Sequence, residues 1–190
     1  MRSRFSWLLL ALALSHGCAA HGFAGSGLLH PLTGLDHALA MVAVGAWSAQ
    51  LGGRAVYGVP ACFVLLMLAG GLASVLGAQL PGIESLVSLS VLLLGLAIAA
   101  ARRLAVAPAG IAVGVFGFCH GFAHGSEVPK AASGPAFIAG FLLTTAGLHL
   151  VGAVGGLLLL EQRRGRAMLR LLGALTAIIG IYLIINQIVK

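Results

Sequence analysis

Two short stretches of this chain concentrate the side chains that could hold a metal ion. The first runs from His30 and Pro31 through Gly34 to Asp36 and His37, with Met41 one helical turn further on. The second runs from His120 and Gly121 through His124 to Glu127. Imidazole nitrogen with some carboxylate oxygen suits zinc, copper, iron or nickel. His120 and His124 are four residues apart, a spacing that lets two imidazoles on one helix face share an ion. Glu127 follows three residues later on the same face as a further candidate ligand, with capping of the helix exit or facing water as the lesser reading. His30, His37 and Met41 fall in one stripe of a straight helix but are spread over about 16 Å of its axis. One ion could not touch both His30 and His37 there, so they suit successive stations or partners from other helices. Asp36 points roughly 100° away from His37. It suits orienting a histidine on a neighbouring helix or direct ligation. Met41 reads more readily as core than as ligand.

The elements that must carry these residues are membrane helices. Of the 190 residues, 60% are hydrophobic and only 8% are charged, against about 25% charged in a soluble domain. Apolar stretches predict an all-α, polytopic membrane fold of six spans. They run from about His30 to Leu51, Val56 to Gly77, Ile83 to Ala101, Ala105 to Gly125, Gly134 to Leu160 and Met168 to Ile188. Histidines and acids in such segments are costly, which makes them functional candidates. His149, alone in the fifth span, reads more readily as a packed, hydrogen-bonding residue, with Thr144 and Thr145 as helix-packing residues. Gly110, Gly114, Gly117, Gly121 and Gly125, and again Gly152 and Gly156, predict seams of close helix approach. No internal repeat is evident.

The chain opens with Arg2 and Arg4, an apolar run from Phe5 to Leu14, and small residues Cys18 and Ala20. That pattern predicts a signal peptide over residues 1–20, leaving 21–190 as a single transmembrane domain. Cleavage there would make His21 the first residue, whose free amine and imidazole can chelate an ion together. Arg54, Arg102, Arg103, Arg163, Arg164, Arg166 and Arg170 fall in or beside alternate loops, whereas Lys130 and Lys190 fall on the other side. The excess of positive charge belongs in the cytoplasm. Both mature termini are then periplasmic, in a bacterial inner membrane, and both histidine clusters lie toward the outer leaflet.

The net charge of +7 sits in these short loop runs, with no basic-aromatic stripe, so nucleic acid is not an expected partner. Cys18, Cys62 and Cys119 include no CxxC pair, which argues against a thiolate zinc site. The chain carries no phosphate-binding glycine loop, so ATP does not drive it directly.

At the two clusters the sequence resembles the HupE/UreJ family of nickel permeases. The family pattern HPxxGxDHxxxM matches His30, Pro31, Gly34, Asp36, His37 and Met41. The pattern HGxAHGxExP matches His120, Gly121, Ala123, His124, Gly125, Glu127 and Pro129. The resemblance implies a secondary permease, not an enzyme, importing nickel or cobalt with no prosthetic cofactor. Its partners are the divalent ion and membrane lipid, and a homo-oligomer is left open. An intramembrane zinc-dependent hydrolase is the alternative, since three histidines and an aspartate around zinc could activate water.

Overall fold

The computed structural model describes residues 27–102, 104–125 and 134–189, with side chains at all of these but 30, 134 and 135. The residues of the expected signal peptide, His21 and Glu127 lie outside this set. The described residues form helices and no strand: α1 (His30–Thr33), α2 (Leu35–Leu51), α3 (Ala55–Val75), α4 (Ile83–Ala100), α5 (Val106–Gly125), α6 (Gly134–Glu161) and α7 (Gly165–Ile188). Helices α3 to α7 are each long and apolar enough to cross a membrane.

The burial pattern is that of a membrane bundle. Leu65, Leu72, Ile111, Leu143, Leu171 and Ile178 are exposed, while Ser88, Ser90, His120, Thr145 and His149 are buried. Apolar surfaces that would be costly in water suit lipid, and polar groups turn inward because hydrocarbon offers them no hydrogen bonds.

The expected first span differs from the structure. It is not one straight helix: Gly34 adopts an extended conformation (φ −95°, ψ 120°) and separates α1 from α2. Glycine is a weak helix former, and here it also makes room. A Cβ at Gly34 would stand 2.8 Å from Asp36 Oδ1 and 3.1 Å from His37 Nδ1. The break removes the continuous stripe from His30 through His37 to Met41. Met41 is fully buried in the apolar core with Ala40, Val44 and Phe63.

Glycines set the principal helix pairs. Along α5, Gly117, Gly121 and Gly125 rest on the backbone of Phe63, Met67 and Gly71, so α3 and α5 run parallel. Gly45 of α2 lies against His149 and Ala153, and Gly152 of α6 against Val42 and Ala46, so α2 and α6 are also parallel. Gly95 of α4 meets Ala177 and Gly173 meets Ala99, an antiparallel pair with α7. These are the three most extensive contacts. They map onto one another when α2, α3 and α4 are exchanged with α5, α6 and α7. The lesser contacts break that symmetry, because α2 also packs on α3 and α4.

A Cβ at position 121 would overlap the Met67 carbonyl, whereas nothing lies within 4 Å of one at position 147. Gly121→Ala should therefore destabilise the detergent-solubilised protein by about 1–3 kcal/mol. Gly147→Ala should leave the thermal midpoint nearly unchanged. Equal midpoints for the two variants would show that the seam is not tightly packed.

Candidate metal centre

Asp36 stands in the first turn of α2, and the break at Gly34 folds its carboxylate back over the next residue. Its Oδ1 accepts the backbone N–H of His37 at 2.8 Å and the His37 Nδ1–H at 2.9 Å. Asp36 thus holds the histidine beside it, where the sequence suggests a histidine on a neighbouring helix or direct ligation. With Nδ1 donating to a carboxylate, Nε2 of neutral His37 carries the lone pair. That atom is buried and has no hydrogen-bond partner.

His120 is fixed in a second way. Ser90 on α4 donates its hydroxyl to the Val87 carbonyl at 2.6 Å, and its oxygen lies 2.9 Å from His120 Nε2. Having spent its one proton, the hydroxyl accepts from Nε2–H. The lone pair of His120 is then on Nδ1, which is also buried without a partner. Each imidazole has one nitrogen anchored and one offered, the arrangement by which outer partners orient metal-binding histidines.

The rings meet. The His37 ring centroid is 4.6 Å from that of His120 and 3.8 Å from that of His124. A metal–imidazole bond of about 2.0–2.1 Å puts rings that share an ion about 4.5–5.2 Å apart. The His37–His120 spacing satisfies that range, while His37 and His124 are packed more closely. Among the described residues no group of three His, Cys, Asp or Glu side chains is arranged to hold a metal ion.

Aromatic rings close the site. Phe141 of α6 stands edge-on to His124 at 4.7 Å, and Phe63 of α3 lies 5.4 Å from His120. Beside His124 an apolar cavity of about 230 Å³ lies between α3, α5 and α6, bordered by Met67, Gly71, Phe137 and Phe141. Thr144 donates to the Leu28 carbonyl at 2.7 Å, and Thr145 lies 3.9 Å from the Met67 sulfur.

Of the residues singled out in sequence, His37, His120, His124 and Asp36 come together. Met41 packs in the core, the His30 side chain is not among those described, and His21 and Glu127 lie outside the described residues. Ser90, Phe63 and Phe141 were not anticipated. A lone serine and two phenylalanines in apolar spans carry no signal that separates them from ordinary packing residues.

A bundle of apolar helices around an intramembrane histidine–carboxylate cluster defines a multi-pass membrane protein with a candidate metal site. The sequence profile of the HupE/UreJ protein family matches residues 5–183, and the chain belongs to that family, which is associated with nickel and cobalt transport. It is also 38% identical over 191 residues to Protein HupE of Rhizobium leguminosarum bv. viciae, covering 97% of this chain and 98% of the relative. No solved structure matches the chain.

Ser90→Ala leaves His120 free to rotate, and Gly34→Ala disturbs the Asp36–His37 pair. Each should weaken Ni²⁺ binding to the purified protein about 10–100-fold by calorimetric titration. Wild-type affinity in both would show that these partners do not organise the site.

Proposed function

We propose that the chain is a secondary permease that imports a divalent transition-metal ion, nickel or cobalt, across the bacterial inner membrane. The observation that carries this reading is the pair of buried lone-pair nitrogens, His37 Nε2 and His120 Nδ1, on rings in contact at 4.6 Å. An unpartnered polar atom in a protein interior costs about 1–3 kcal/mol. Two of them on anchored rings in contact are suited to take the place of water molecules around a cation.

In this reading α1 and α2 together form the first of six spans, after a cleaved signal peptide. The arginine-rich loops face the cytoplasm and both mature termini the periplasm. The histidine cluster then lies toward the outer leaflet, where it captures the ion. His37, His120 and His124 are its ligands. Asp36 neutralises part of its charge while holding His37, and His30, Glu127 and His21 serve the periplasmic approach. Met41 is assigned to the core. The inside-negative potential drives inward movement, worth about 2.3 kcal/mol per charge per 100 mV. The hydrolase alternative gains no support from the family or the relative.

Radioactive nickel uptake into proteoliposomes tests the proposal, with cobalt and zinc as competitors. His37→Ala and His124→Ala should each reduce uptake to the level of protein-free liposomes. Uptake at the wild-type rate in both would reject the assignment.

A further inference from the structure

We propose that His149, with Thr145 and Met67, forms a second cation station behind the histidine cluster, and that Phe63 is the gate between the two. This rests on the permease reading above for its place on a transport path, but the station itself is argued from the buried side chains.

His149 is 3% exposed, and neither ring nitrogen has a hydrogen-bond partner. A packed histidine in a membrane bundle ordinarily finds a serine, threonine or carbonyl to bond. This one stands perpendicular to the Phe63 ring instead, with ring centroids 5.0 Å apart at 89°. Its backbone is fixed, because Gly45 of α2 presses directly against the His149 carbonyl. One turn earlier on the same face of α6, the buried Thr145 hydroxyl points at the Met67 sulfur, 3.9 Å away. Imidazole nitrogen, hydroxyl oxygen and thioether sulfur are donors that a borderline-soft divalent ion accepts and that magnesium or calcium does not favour.

Phe63 touches both stations, at 5.4 Å from His120 and 5.0 Å from His149. Its backbone abuts Gly117 on α5, so side-chain rotation is the motion open to it. An ion leaving His120 for His149 passes the ring face, where cation–π attraction offsets part of the lost coordination. Further along α2 the Gln50 amide donates to the Ile98 carbonyl at 3.2 Å and leaves its oxygen buried without a partner.

Equilibrium dialysis of Ni²⁺ against the purified full-length protein counts bound ions, and nickel uptake is measured with the same preparations in liposomes. The wild type should bind two ions per chain and His149→Ala one, with affinity at the remaining site unchanged and uptake lost. Thr145→Val preserves volume and should weaken the second ion about tenfold without lowering thermal stability; it carries the test where His149→Ala fails to fold. Phe63→Leu should keep both ions and alter only the uptake rate. Equal ion counts in the wild type and His149→Ala, or unchanged affinities in Thr145→Val, overturn the second station. A loss from two ions to one, with a wild type that carries no nickel, supports the station and overturns the permease reading instead.

Discussion

Hydrocarbon gives a buried imidazole nothing to bond, so every ring nitrogen inside this bundle is either satisfied by a neighbour or kept for something else. At His37 and His120 the division is clean. One nitrogen is held by Asp36 or by Ser90, and the other is buried without a partner. Anchoring fixes the tautomer as well as the rotation. A ring donating from Nδ1 to a carboxylate offers Nε2, and a ring donating from Nε2 to a serine oxygen offers Nδ1. The two anchored rings are thereby delivered from helices of different direction to one place.

Such delivery depends on close backbone approach. The α5 seam of Gly117, Gly121 and Gly125, seated against α3, brings α5 near enough for His120 and His124 to face α2, and Gly45 and Gly152 do the same for α2 and α6. A larger residue at these positions would push the helices apart by more than the tolerance of a coordination shell. The glycine at position 34 acts differently. Its extended backbone ends α1 and leaves space for the Asp36–His37 pair. The exchange relation among the three main helix pairs places the two histidine clusters on corresponding helices, α2 and α5.

Much of the arrangement was legible in residue types and spacing. Apolar stretches marked the long helices to within a few residues, and the paired clusters marked the side chains that the fold brings into contact. One inference failed. The stripe through His30, His37 and Met41 assumed an uninterrupted helix across Gly34. A single extended residue resets the phase of everything before it, and one glycine among 28 gave no warning. Ser90 was illegible for another reason. Its role exists only because α4 passes behind His120, a long-range relation that no local pattern encodes. The helix-pair symmetry also left no repeat in the sequence, because packing preserves small residues and backbone direction, not side-chain identity.

The central claim is that imidazoles from α2 and α5 share one ion. X-ray absorption fine structure at the nickel edge, on protein loaded with one equivalent of Ni²⁺, tests it most directly. The account predicts multiple-scattering features of several imidazoles in the wild type, with imidazole scattering diminished in both His37→Ala and His120→Ala. A spectrum fitted by oxygen ligands alone, or one that neither substitution changes, would contradict it.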